Sequence, residues 1–127
     1  MTLATRGKEG QKIPFPIFGT GEQTRSFVHI DDFTNGLMRV IETGEHLEIY
    51  HIGNDEEVTI AELARLVVAQ FECEAELVPS EAPAGETPRR CPDITKVRAL
   101  GYEPKISLAA GLPDVAKWYA ANAHLKP

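Results

Sequence analysis

Two arginines side by side in a loop rich in proline and small residues are the first candidates for chemistry. Arg89 and Arg90 stand near the end of the run SEAPAGETPRRCP. Paired guanidinium groups match the oxygens of a diphosphate with forked hydrogen bonds. The competing reading is a solvated basic pair offset by Glu81 and Glu86. Arg25, just after the turn Gly19-Thr20-Gly21, is a third candidate. That glycine pair invites a dinucleotide-loop reading, but the expected third glycine is Thr24 and a strand-like run follows instead of a helix. A tight turn is the better role. Asp31 and Asp32 could form a paired-carboxylate acid/base site, although capping of a helix start accounts for them fully.

Other chemistries find little support. His29, His46, His51 and His124 have no ligand spacing, and Cys73 and Cys91 make neither a CxxC nor a Cys/His set. Neither a metal site nor a disulfide framework is expected. No GxxxxGK[ST], HExxH or GxSxG pattern occurs, which removes the usual signals of phosphoryl transfer, zinc hydrolysis and serine esterases. Trp118 and Tyr119 follow a helical apolar spacing and are expected in a core, not as a stacking platform. The net charge of -6 argues against a nucleic-acid partner, because backbone binders need a basic face. No run is apolar enough for a signal peptide or a bilayer span, so a cytoplasmic location is expected.

These residues must be positioned by a single unit spanning residues 1–127. Ile13 to Phe18 reads as an extended apolar segment whose prolines, Pro14 and Pro16, favour an edge strand or a loop entry over a central strand. Arg25 to Ile30 alternates as a second strand, and the two could form a hairpin. A helix follows, with Phe33, Leu37, Val40 and Ile41 on one face, one of the two aspartates at its start and Gly44 at its end. Ile49 to Ile52 is a short β-type run. Thr59 to Glu62 is a capping box opening a second helix, whose face is Ile60, Leu63, Leu66, Val67 and Phe71. Ala75 to Val78 could be a brief strand, and residues 79–92 form the loop expected to contact a ligand. Asp93 caps a short helix closed by Gly101. Ser107 caps a last helix, unless Pro113 moves its start later or kinks it. The class is α/β, with short strands and about four helices.

Several spaced segments together resemble a known family. GTGEQTRSFVHIDDFTNGL, YHIGN, EEVTIAELA and RRCPDITKVRALGYEPKISLAAGL occur in that order. They are similar to the C-terminal part of the extended short-chain dehydrogenase/reductases, and within them to the NAD-dependent sugar-nucleotide epimerases, dehydratases and decarboxylases. The resemblance implies a substrate-binding part that holds a UDP- or dTDP-sugar. It assigns Arg25 and Arg90 to the nucleotide diphosphate, keeps Arg89 as the alternative if the loop aligns one residue differently, and sets Gln23 in the same turn. Asp32 matches a position read as structural, and Tyr50 to Gly53 a late strand of the cofactor domain's sheet.

The family's glycine-rich Rossmann loop and its Tyr-x-x-x-Lys pair precede the matching region and are missing from this sequence. Tyr50, Tyr102 and Tyr119 have no lysine four residues on. The resemblance therefore implies a truncated domain with no catalytic residues of its own, and NAD as the cofactor of the parent family but not of this chain alone. Its expected partners are a sugar nucleotide and either a cofactor-binding chain or a second copy of itself. A different expectation, from another class, is a non-enzymatic interaction or oligomerisation module derived from the family. A third is a remnant whose fold persists without a ligand.

Overall fold

The computed structural model describes residues 10–125. The N-terminal stretch read above as free of a signal-type run lies, up to residue 9, outside them. Five strands and four helices occur along the described residues: β1 (Lys12–Phe18), β2 (Thr24–Ser26), α1 (Ile30–Thr43), β3 (Glu57–Thr59), α2 (Ile60–Ala69), β4 (Glu74–Ser80), β5 (Arg89–Arg90), α3 (Thr95–Arg98) and α4 (Leu108–Ala121). The α/β class with short strands and four helices is what the sequence predicts. No helix of the described residues is long and apolar enough to cross a membrane.

The expected hairpin does not form. β1 pairs in parallel with β4, from Lys12 opposite Glu74 to Phe18 opposite Ser80. β2 instead joins a second sheet, antiparallel to β3 and parallel to β5. The reason lies in β1's alternation. Ile13 and Ile17 are buried and Phe15 half-buried, whereas Pro14 and Pro16 fall on the opposite phase. The apolar phase packs on Val68 of α2 and on Cys73, Phe71 and Ala75, which arrive only after β3. Prolines two apart lack N–H groups on one edge of the strand, so pairing uses the other edge and the proline edge is blunted. The turn at Gly19 and Gly21, both with positive φ, sends the chain off to the second sheet.

α2 follows β3 directly. Thr59 Oγ1 accepts the Glu62 N–H at 3.1 Å, as the capping box predicts. Two further free N–H groups at its start donate to the glycine turn, Ile60 to the Gln23 carbonyl and Ala61 to that of Gly21, both at 3.0 Å. Its most buried residues are Ala64 and Val68; Leu63, Leu66, Val67 and Phe71 are half-buried beside them. The small Ala64 lets the helix lie close on the strand layer, which shifts the stripe from the predicted one.

A second core joins α1 to α3 through Ile94, Val97 and Tyr102, with Val40, Tyr50 and Ile52 packed against it. Ile49 to Ile52 pairs with no strand among the described residues; Tyr50 and Ile52 serve this core instead, while Ile49 and His51 are exposed. The Tyr102 hydroxyl donates to the Gly53 carbonyl at 2.7 Å. Gly44 ends α1, donating its N–H to Val40. The start of α1 differs from expectation, because His29 is its cap and its Nδ1 accepts the Asp31 N–H. Asp32 is buried and faces inward.

At the other end, Asp93 accepts the Thr95 N–H at 2.9 Å, and Ser107 accepts that of Ala110 at 3.3 Å. With Ser107 as cap, α4 starts at Leu108 and carries Pro113 in its interior, leaving the Ala109 carbonyl without its usual donor. None of α4's residues is fully buried. Trp118 and Tyr119, expected in a core, are 56% and 65% exposed and meet edge to face at 5.1 Å. No described element covers that side of the helix far enough to bury them.

Candidate ligand site

The second sheet brings two of the predicted arginines together. Thr24 opposes Arg89 and Arg25 opposes Arg90 across β2 and β5. Residues directly opposed in neighbouring strands, about 4.8 Å apart, project to the same side. Arg25 and Arg90 therefore share one face, together with Val58, which opposes Arg25 from β3. Arg89 is on the other face with Thr24 and Glu57.

That difference of one residue decides what each arginine does. Arg89 makes a forked contact to the Glu57 carboxylate, with Nη2 at 2.6 Å and Nε at 3.0 and 3.1 Å. Thr24 Oγ1 also donates to Glu57, at 2.7 Å. These hydrogen bonds, Arg89's first, hold the Glu57 carboxyl below its usual range, and Glu57 in turn raises Arg89. Arg89 is already neutralised within the sheet.

Arg25 and Arg90 are engaged by the loop between β4 and β5. Arg25 Nη2 meets Glu86 Oε1 at 3.2 Å, and Nη1 donates to the Thr24 carbonyl at 2.7 Å. Arg90 Nε donates to Thr87 Oγ1 at 2.7 Å. The expectation that Glu81 and Glu86 would offset Arg89 and Arg90 is corrected here: Glu86 pairs with Arg25, and Glu57 from β3 pairs with Arg89. Beside Arg90 an open groove of about 580 Å³ is lined by Ser26, Tyr50, His51, Ile52, Cys91 and Pro92. The Cys91 thiol is pushed up by burial and then by the Glu57 charge, which disfavours a nucleophilic thiolate.

Gln23 is committed to the turn, where its Nε2 donates to the Phe18 carbonyl at 2.7 Å. The glycines beside it do not form a phosphate cradle. A Cβ on Gly21 would sit 2.8 Å from Ile17 Cδ1 and 3.0 Å from Ala61 Cβ, so this glycine makes room for α2 and not for a ligand. The turn leads into β2 and not into a helix N-terminus, and α2's own first N–H groups are occupied by the turn's carbonyls. This turn thus does not fit the phosphates of a dinucleotide. Among the described residues, no three His, Cys, Asp or Glu side chains gather in a way that could hold a metal ion.

Comparison with known proteins bears on the same segments. Residues 1–53 match the NAD dependent epimerase/dehydratase family. UDP-glucuronic acid decarboxylase 2 of Arabidopsis thaliana is 41% identical over 108 residues, which cover 84% of this chain and 24% of that protein. UDP-glucose 4-epimerase of Thermotoga maritima, solved with UDP-glucose, superposes with a TM-score of 0.79 at 29% identity, covering 93% of this chain and 37% of that one. Over these segments the chain is similar to NAD-dependent epimerases and dehydratases. A third relative, the dTDP-glucose 4,6-dehydratase DesIV of Streptomyces venezuelae solved with NAD, matches at 33% identity and a TM-score of 0.77, covering 91% and 35%. The chain spans about a quarter of the length of the plant decarboxylase and about a third of the two solved epimerase/dehydratase family members.

Three features of the site were not read from the sequence. Glu57 as the partner of Arg89 and Thr87 as the partner of Arg90 left no signal, since one needs the β2–β3 pairing and the other the local turn of the loop. Asp32 as a tertiary acceptor was visible only as an excess, a second aspartate where one cap suffices.

Proposed function

We propose that this chain is the sugar-nucleotide-binding part of an NAD-dependent epimerase/dehydratase, holding the diphosphate of a UDP- or dTDP-sugar between Arg25 and Arg90. The observation that carries the reading is the β2–β5 register, which sets these two guanidinium groups on one face of the sheet. Two cations held side by side favour an anion between them, and a diphosphate offers forked acceptors to both. The segment 79–92 expected to contact a ligand, which includes the end of β4, the loop 81–88 and β5, is then the ligand-contacting one, because β5 carries Arg90 and the loop lies over Arg25 through Glu86. Arg89 serves the sheet through Glu57, and Gln23 shapes the turn from which Arg25 emerges. The names of the relatives, with UDP-glucuronic acid, UDP-glucose and dTDP-glucose among their substrates, support this ligand class. NAD, and the residues that move hydride and proton, belong in this reading to other parts of such enzymes. Isothermal titration of the chain with UDP-glucose and dTDP-glucose is the test. Saturable heats abolished by Arg25→Gln are expected; no heat with a folded chain would overturn the proposal.

A second reading, as an interaction module, is favoured by one observation. Ile30, Phe33, Leu37 and Ile41 recur along one side of α1 and are all exposed, an apolar row that a partner chain or a second copy would cover. Light scattering across a concentration series separates the readings, since a strict monomer counts against self-association.

A further inference from the structure

We propose that the loop between β4 and β5 carries its own competing anion, with the Glu86 carboxylate seated on Arg25 where a phosphate would bind. A diphosphate then enters by displacing Glu86, and the loop is the gate of the clamp. This rests on the diphosphate reading of Arg25 and Arg90.

The loop's burial pattern points to Glu86. From Glu81 to Arg90 every residue is exposed except Glu86. Its side chain is 22% exposed and its partner Arg25 16%, so the contact is drawn in from solvent while the chain around it is not. The two loop ends are tied to the glycine side of the fold: Ser80 O accepts the Gly19 N–H and Pro88 O accepts the Thr24 N–H, both at 2.9 Å. Between these ties a turn closed by the Glu86 N–H on the Pro83 carbonyl at 3.2 Å has Gly85 in its third position, at φ +84. A turn of that kind needs positive φ there, which glycine supplies freely. Its tip meets nothing, since a Cβ on Gly85 would have no neighbour within 4 Å.

The loop is therefore held at its ends by backbone and in its middle by one ion pair. Exchanging the Glu86 carboxylate for a phosphate leaves the charge on Arg25 balanced throughout and frees the tip to move. Thr87, the next residue, holds Arg90 by a neutral hydrogen bond, which a phosphate oxygen outcompetes because charged acceptors bind guanidinium more strongly. Consecutive residues of one loop thus cover both arginines, one with a charge and one without. Glu86 is the stronger of the two brakes.

Titration of the 127-residue chain with UDP tests this, comparing wild type with Glu86→Gln and with Glu81→Gln, which removes the same charge from the same loop without touching Arg25. Thermal melts establish that each variant is folded, and Glu86→Ala replaces Glu86→Gln if that variant is not. Glu86→Gln is expected to bind UDP roughly threefold to tenfold more tightly than wild type, the range of a partly exposed ion pair, with Glu81→Gln within about twofold. Equal or weaker binding by Glu86→Gln, where wild type binds UDP, overturns the gate and leaves the clamp standing. Equal tightening by both variants also overturns it, since long-range charge would then suffice. No binding of UDP by wild type or by Glu86→Gln overturns the gate and the diphosphate reading together.

Discussion

The carboxylate of Asp32, in the first turn of α1, accepts the backbone N–H of Ile106 at 2.8 Å, 74 residues further along the chain. The same oxygen accepts the N–H of Lys105 at 3.0 Å. It thereby fixes the stretch that leads into α4 onto the helix that follows β2. Its charge, second to burial, pushes the Tyr102 hydroxyl up, so that this phenol stays protonated as the donor to Gly53. Asp31, its neighbour, points a carboxylate into solvent.

Asp32→Ala is expected to destabilise the fold by about 3 kcal/mol, since it strands two backbone donors that a buried charge had satisfied. Asp31→Ala is expected to change stability by less than about 0.5 kcal/mol, as surface substitutions usually do. Urea unfolding midpoints of the two variants check this. Equal losses would return the pair to a shared capping role.

What was legible and what was not divides by sequence distance. The Thr59 and Ser107 caps and the stop at Gly44 are local devices that act within four residues, and each stands where its residue type predicts; Asp93, expected as the cap of α3, lies one residue before the actual cap Ile94 and still accepts the Thr95 N–H. The pairing of β1 with β4, the Arg89–Glu57 fork and the Asp32 anchor join residues between 32 and 74 apart. Residue types show what such groups can bind but not which distant group arrives. Arg25 and Arg90 were paired by family resemblance alone, with Arg89 as the alternative, whereas the face each arginine takes is set by the alternation of β5 against β2. Trp118 and Tyr119 mislead for a related reason. Helical spacing identifies an apolar face, and burial depends on what lies against it.

Gly36, inside α1, offers a test in which two rules disagree on sign. Intrinsic helix propensity favours Gly36→Ala by about 1 kcal/mol. A Cβ there would lie 2.6 Å from Ile52 Cγ2 and 2.9 Å from Tyr102 Cε2, both fixed in the second core. Overpacking is expected to win, with a net loss of about 1–3 kcal/mol measured by thermal or urea unfolding. A gain in stability would mean that α1 can move off Tyr102 without cost.

Arg98 ties three segments together, reaching Asp55 at 2.5 and 3.2 Å and Glu103 at 3.0 and 3.1 Å. The hydrogen bond from Arg98 is the main cause that holds the Asp55 carboxyl below its ordinary range, against a smaller effect of burial. A carboxyl depressed in the folded state adds stability that is complete above its unfolded pKa, about 3.9, and is lost as pH falls through the lower folded value. Arg98→Met is thus expected to melt below wild type at pH 7, with the gap closing as the pH drops under about 4. A gap of constant size from pH 7 to pH 3 would remove Asp55 from the account.

Arg89 and Arg90 are adjacent in sequence and opposite in the sheet, which makes them each other's control. Arg90→Gln removes a charged donor from the proposed diphosphate site, and is expected to weaken UDP binding about tenfold or more, the worth of a charge-assisted hydrogen bond. Arg89→Gln leaves that face intact but releases Glu57, whose carboxyl should then titrate closer to its ordinary range, a shift that carbon-detected NMR of the side chain can follow. UDP affinity in Arg89→Gln is expected to stay within about twofold of wild type, as for a surface ion pair on the far side of the sheet. If Arg89→Gln loses as much affinity as Arg90→Gln, the ligand approaches from the Glu57 face, and the alternative alignment of the loop is the correct one.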